Sequence, residues 1–345
     1  MTTQTREQIR ERTIRTRAVP PPVPRTPVDS TLPKDGHRLD LRRRFTKHTS
    51  AGEVVVAYLN AQGVRFNNLE LAVRQDKPDS VHQMRVTVRR LRATLQSFPG
   101  IVSGPDTRHL QADLKWLGGV LGSARDTEVL ASHLHAGLTA APTELVLGPA
   151  QARITTHFAP LEASSRKAVL DAFDSDRYKV LRASLGRLLD NPPLTPRAAE
   201  PASKALPLAV GRAYRRTRRR MQRVSQTPAG QQRDVALHEA RKAAKRTRYA
   251  AEAAAPALGK KNGKKANKLA KRMKKVQSVL GDHQDAVIAR TAARDIGVRA
   301  HLAGENAFSF GLLEERAHHQ ALASEQQAPQ VWRRASRKAS WLPKS

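Results

Sequence analysis

The residues best placed to do chemistry stand on two similar stretches. The first is Val81-His82-Gln83-Met84-Arg85-Val86-Thr87-Val88-Arg89-Arg90-Leu91-Arg92. The second is Leu237-His238-Glu239-Ala240-Arg241-Lys242-Ala243-Ala244-Lys245-Arg246-Thr247-Arg248. Both read apolar-His-x-x-Arg-x-x-x-basic-basic-x-Arg. At 100° per residue on a helix, His82, Arg85, Arg89 and Arg92 fall within an arc of about 80°. Val81, Met84, Val88, Leu91 and Leu95 fill the neighbouring arc, and Arg90 points elsewhere. One face packs, and the flank beside it presents an imidazole and a ladder of cations. Such a ladder suits phosphate, since guanidinium groups grip its oxygens in pairs and lysine acts as a point charge. A single copy would sooner read as a solvated helix with snorkelling arginines; the second copy argues against that.

The repeat continues downstream. Leu114-Lys115-Trp116-Leu117, Leu121-Gly122 and Asp126 in the first half match Met273-Lys274-Lys275-Val276, Leu280-Gly281 and Asp285 in the second. The histidines are 156 residues apart and the aspartates 159 (238 less 82, 285 less 126). A nearly constant offset over such a span indicates a duplicated unit with a small insertion, not a many-repeat solenoid.

Taken together, the His-x-x-Arg helix, the later lysine and the Leu-Gly-x-x-x-Asp step, each present twice, resemble the CHAD family, the conserved histidine α-helical domain, over roughly residues 50 to 320. The resemblance implies an all-α fold: two four-helix bundles related by a pseudo-twofold, with a basic cavity between them that binds inorganic polyphosphate. The polyphosphate-binding residues expected are His82, Arg85, Arg89, Arg90, Arg92, Lys115, Arg216 and Arg219, with His238, Arg241, Lys245, Arg246, Arg248, Lys271 and Lys274. Two positions depart from exact repetition. Lys245 stands in the place of Arg89, which keeps the charge and loses the fork. Gln284 stands in the place of Arg125, which leaves Arg125 outside the expected ligands. The histidines have two readings: donors to a bound anion at helix starts, or structural pins held through Asp126 or Asp285.

Charge supports a polyanionic partner. The 345 residues hold 62 Lys and Arg against 30 Asp and Glu, a net charge of +32, and such a chain repels itself unless a polyanion or counterions neutralise it. Between Arg212 and Lys275 the acids are only Asp234, Glu239 and Glu252. Aromatics make up 4%, which disfavours base stacking on single strands. Nucleic acid remains the alternative partner, because net charge supports it equally. With no cysteine, disulfides, thiolate metal sites and cysteine nucleophiles are excluded. No leader-like apolar run and no membrane-length span is seen, so the expected place is the cytoplasm; the resemblance adds polyphosphate granules.

The elements that must position these residues are helices. Residues 1–48 read as a basic, Pro-rich tail. A helix follows from Gly52 to about Val73, and Asp79 or Ser80 then caps the first His/Arg helix. Lys115 lies on a third helix that Gly122 is expected to stop, with Asp126 opening the next. His157 and Tyr178 read as structural. The Asn191-Pro192-Pro193 step ends the first bundle (49–190), and a linker (191–203) leads to the second bundle (204–323). That bundle opens with a helix packed by Val210, Tyr214, Thr217, Met221 and Val224. The small Ala240, Ala244, Thr247 and Ala251 call for a close neighbour. A helix over about 264–280 carries the stripe Lys264, Lys268, Lys271 and Lys275, which serves either as solvated surface or as part of a polyanion track. A basic tail is expected over 324–345.

Catalysis has little to work with. There is no GxxxxGK[ST] phosphate loop, and acids are too sparse in the basic regions to gather a Mg²⁺ site. His283, His318 and His319 lack zinc-ligand spacing. A phosphohistidine at His82 or His238 is the remaining enzymatic reading. The expectation is a binding module without catalytic residues, cofactor or metal.

Overall fold

A reciprocal cap starts the first of the described helices. The Ser50 hydroxyl accepts from the Glu53 amide (3.2 Å), and the Ser50 amide donates to Glu53 Oε2 (2.6 Å), which pairs two N–H groups that a helix start leaves open. The computed structural model describes residues 45–337, 339 and 341–343. Among them it has nine α-helices and no strand: α1 (Ala51–Arg74), α2 (Ser80–Ser97), α3 (Pro105–Thr139), α4 (Ala150–Asp174), α5 (Asp176–Asp190), α6 (Ala202–Gln226), α7 (Gln231–Ala254), α8 (Gly259–Leu302) and α9 (Phe308–Ser336). None of these helices is long and apolar enough to cross a membrane. The tail expected over 1–48 lies, up to residue 44, outside the described residues.

The all-helical expectation holds, with four local corrections. Asp79 sits at the N-cap of α2 but does not cap it through its side chain. Its backbone is left-handed (φ 60°), not extended as a capping residue needs, and its carboxylate accepts from Gln83 Nε2 instead (2.8 Å). Gly122 stops nothing: α3 runs through it to Thr139, so Asp126 is mid-helix. Gly281 likewise lies inside the 44-residue α8, which runs on past the end at about 280 expected for that helix. Finally, residues 324–336 are helix, not tail. Ala321, Ser324, Ala328 and Ala335 recur at helical spacing and are buried, and the chain beyond is tied down where Arg215 Nη1 donates to the Pro343 carbonyl (2.9 Å).

Packing joins the two halves of the sequence. The main core combines Leu59, Met84, Leu91 and Leu117 from the first half with Leu206, Leu237, Ala244, Leu269 and Leu280 from the second. Here α2 packs on α7, and α1 on α6 and α7. The small face of α7 meets its close neighbour, α6, where the Thr217 and Thr247 hydroxyls pair at 2.8 Å. A second core forms at the far ends of the long helices. There Leu134 and Leu138 of α3, Ile154 and Phe158 of α4, Ala293 and Ile296 of α8, and Phe310 and Leu313 of α9 are buried together. The segment between α5 and α6 is pinned at both ends: Thr195 N donates to the Ile101 carbonyl (3.0 Å), and Ala202 N to the Thr49 carbonyl (3.0 Å). Tyr178 is structural, as expected; it is buried and its hydroxyl donates to Glu70 (2.8 Å).

Candidate functional site

Between the two cores lies a cavity of about 2400 Å³, walled by α2, α3, α6, α7, α8 and α9. The neighbouring arcs on α2 explain how it is built. Met84, Val88, Leu91 and Leu95 are buried in the core, so His82, Arg85, Arg89 and Arg92 must line the cavity, as they do. On α7, Leu237, Ala240 and Ala244 are buried, which turns His238, Arg241 and Lys245 into the same space.

The mid-helix glycines explain how the arginines are held. Arg85 crosses to α3 and forks onto Asp126, with Nη1 to Oδ1 at 2.8 Å and Nη2 to Oδ2 at 3.2 Å. Its guanidinium lies flat over Gly122, where an added Cβ would be 3.4 Å from Nη2. In the other half Arg241 covers Gly281 more tightly: a Cβ there would be 3.0 Å from Nη2 and 3.3 Å from Nε. The aspartates expected to pin the histidines therefore serve the arginines instead; Asp285 is the acid that most favours charge on Arg241. His82 sits in the first turn of α2, but His238 lies two turns into α7. There His238 Nδ1 donates to Gln284 Oε1 (2.7 Å), since an amide oxygen only accepts. A prediction follows for the tighter site. Gly281→Ala should weaken anion binding severalfold by displacing Arg241, while Gly122→Ala does so less. Neither should lower Tm much, because alanine favours a helix over glycine by about 1 kcal/mol. Equal binding by both variants and wild type, measured by calorimetry, would show that the glycines do not place the arginines.

The site holds more positive charge than its own acids neutralise. Twelve lysines and arginines line it against six carboxylates, and several of those acids are engaged: Asp126 by Arg85, Glu128 by Arg125 and Glu239 by Lys242. Burial, reinforced by repulsion from Arg89, Arg241 and Arg85, pushes the Lys245 ammonium down to about 6, with Asp285 acting the other way. Burial also lowers His82, against the pull of Asp79 and with further lowering by Arg125, Arg89 and Arg85. Arg241, Arg92 and Arg246 are drawn down by burial too, yet guanidinium groups stay charged. The Nε atoms of Arg92 and Arg241 are buried without a hydrogen-bond partner.

The profile of the CHAD domain matches residues 57–294. The chain belongs to the CHAD domain family. Two relatives from Mycobacterium tuberculosis, the uncharacterized proteins MT2285 and Rv2226, are each 34% identical to it over 249 residues, which is 71% of this chain and 46% of theirs. The chain thus spans about half the length of the curated relatives it matches. Among solved structures, PptA from Streptomyces chartreusis superposes with a TM-score of 0.69 at 21% identity, over 82% of this chain and 99% of that one. The CHAD domain from the plant Ricinus communis gives 0.58 at 23% identity, over 86% and 92%. At such identities the likeness is one of fold.

Within this CHAD fold the expected residues divide. His82, Arg85, Arg89, Arg92, Lys115, Arg216, His238, Arg241, Lys245 and Arg246 line the cavity. Arg90 and Arg248 do not. They flank the Tyr249 ring, with guanidinium carbons 6.0 and 5.3 Å from its centroid, and Arg248 Nε donates to Glu252 (2.7 Å). They therefore brace α2 against α7. Arg219, Lys271 and Lys274 are exposed and lie off the cavity wall. In place of Arg219 the wall has Arg220, four residues from Arg216; that spacing was the available signal. Arg125 and Lys242 also line it. Arg125 was set aside because its counterpart is Gln284. Arg316 comes from α9, and no motif marks it. Among the described residues no three His, Asp or Glu side chains are grouped to hold a metal ion.

Proposed function

We propose that this chain binds inorganic polyphosphate in the cavity between α2 and α7, and that it holds the polymer without hydrolysing it. The observation that carries this reading is the convergence of cations from both halves of the sequence on one space. Arg89, Arg92, Lys115 and Lys245 line it with no carboxylate partner among the described residues. Polyphosphate has about one charge per phosphate and no bases, so it asks for a deep basic track and no base-reading pockets. The aromatic content of the chain, 4%, suits that request. Arginine forks grip the oxygens, and Lys245 adds a point charge once the bound polyanion has restored its proton. In the cell the same reading puts the chain in the cytoplasm, at polyphosphate granules.

The test is a titration of labelled long-chain polyphosphate, followed by competition with duplex DNA. Polyphosphate is expected to displace DNA at far lower phosphate concentration than the reverse, and affinity should fall steeply with salt as counterions are released. Displacement with the opposite preference would make the protein a nucleic-acid binder. Steady phosphate release, with or without Mg²⁺, that disappears in His82→Ala or His238→Ala would make it an enzyme.

A further inference from the structure

The second His/Arg helix departs from the first at one cation of the cavity wall: Lys245 stands where the first copy has Arg89. A polyanion site gains nothing from that exchange. Arginine stays charged wherever it is placed, whereas a buried lysine gives up its proton readily. Burial, with repulsion from Arg89, Arg241 and Arg85, does hold the Lys245 amine unprotonated at neutral pH in the empty cavity. Binding there must first restore the proton, which an arginine would not require. The exchange makes sense if the amine does something that a guanidinium cannot.

A desolvated amine beside other cations is a nucleophile, and the surroundings of Lys245 fit that use. It lines the wall of a cavity of about 2400 Å³, open to small molecules. Arg85 and Arg89 act on it from α2 and Arg241 from α7, while Asp285 of α8 is the acid that acts the other way. No carboxylate pairs directly with Lys245 or Arg89 among the described residues. Arg241 stands four residues before Lys245, on the same face of α7, and its buried Nε has no hydrogen-bond partner. The wall at Lys245 therefore has donors to spare and lacks an anion.

We propose that Lys245 is a carbamylation site: its amine adds carbon dioxide reversibly, and Arg89 and Arg241 stabilise the carbamate that forms. The nitrogen lone pair attacks the carbon of CO₂ and makes a C–N bond. One C–O π pair moves onto oxygen, and the nitrogen releases one proton to water. The product carries a single negative charge, and its two oxygens accept charge-assisted hydrogen bonds from the guanidinium groups. Carbon dioxide is neutral, so it reaches the amine without restoring the proton as a polyanion does. The two ligands exclude each other. Polyphosphate needs Lys245 as an ammonium, and the carbamate repels phosphate. That exclusion rests on the proposed polyphosphate reading; the carbamate itself does not.

The test is carbon NMR of the whole chain equilibrated with isotope-labelled bicarbonate at mildly alkaline pH. Carbamates are then trapped as esters by alkylation and located by mass spectrometry. Wild type is expected to show a carbamate resonance, and a trapped ester at Lys245, that Lys245→Arg lacks. The variant restores the residue that the first copy carries at this position, and its circular dichroism spectrum checks the fold. Carbamates on other amines are common to both proteins and cancel in the comparison. Tripolyphosphate should erase the Lys245 resonance. It should also bind wild type severalfold more weakly in bicarbonate than in chloride of equal ionic strength, with a smaller difference in the variant. Identical resonances in the two proteins, or trapped ester on other amines alone, would overturn the inference. A Lys245 resonance that tripolyphosphate leaves untouched would uphold the carbamate and count against the polyphosphate reading instead.

Discussion

Reversing Arg85 and Arg241 together to glutamate is expected to weaken polyphosphate binding by on the order of a hundredfold or more. A hydrogen bond to a charged group is worth roughly 1.5–3 kcal/mol. Losing two of them amounts to about 3 kcal/mol at the least, or two decades in Kd, before any repulsion from the new carboxylates. The reversal also sets Glu against Asp126 on one side and near Asp285 on the other, since those acids neighbour the arginines. The Arg85→Gln, Arg241→Gln pair is therefore the companion: it removes the charges, adds none, and should still lose more than tenfold with an unchanged circular dichroism spectrum. The competing explanation is binding by the basic segment ahead of the fold. It predicts that deleting residues 1–44 abolishes binding while the double reversal leaves it intact. Deletion from residue 324 is no test of a tail, because Ala328, Ala335 and Leu342 are buried.

Binding should also take up a proton at Lys245. The free amine titrates near 10.5, whereas the empty cavity holds it at about 6. Between those values the unfolded chain carries a proton that the empty fold lacks. The sign is then fixed: the contribution of this group to stability rises as pH rises from about 6 toward 10.5. A bound polyanion offsets the repulsion from Arg89, Arg241 and Arg85 and restores the charge. At pH 8, calorimetry in two buffers of different ionisation heat should report uptake approaching one proton, and affinity should fall as pH rises through the window, by up to about tenfold per unit. Lys245→Gln should remove that uptake and weaken binding. It should also raise Tm of the empty protein near neutral pH, because folding no longer strips a proton from a buried amine. The same uptake in wild type and variant would place the titrating group elsewhere.

The arcs on the two His/Arg helices were legible because burial and charge alternate there with helical period. That alone put His82, Arg85, Arg89 and Arg92 on one wall. Glycine was misread because its two uses look alike in a sequence. Gly122 and Gly281 follow leucines as C-terminal stops do, but each is small to let an arginine from another helix lie across it. Arg248 holds the place of Arg92 in its repeat and was indistinguishable from a ligand by spacing, whereas Arg90 already pointed off the ligand arc. What removes them is Tyr249 and Glu252, which meet Arg90 only after α2 and α7 have docked. The second core was not legible either. Leu134 and Leu138 announce an apolar face but do not name Ile296 and Phe310 as its partners.

That second core bears on how the chain can be made. Leu147 N donates to Ser309 Oγ (2.7 Å) and Arg316 Nη1 to the Gly137 carbonyl (3.3 Å), pairs 162 and 179 residues apart. On the ribosome, α3 and α4 therefore wait with their far ends uncovered until α8 and α9 have emerged. A chain cut between Pro192 and Pro193 would leave both fragments without a finished interior. Contacts of such long sequence separation slow folding and favour one cooperative melting transition over two. For all its repeated motifs, the described fold is expected to form and to melt as one unit.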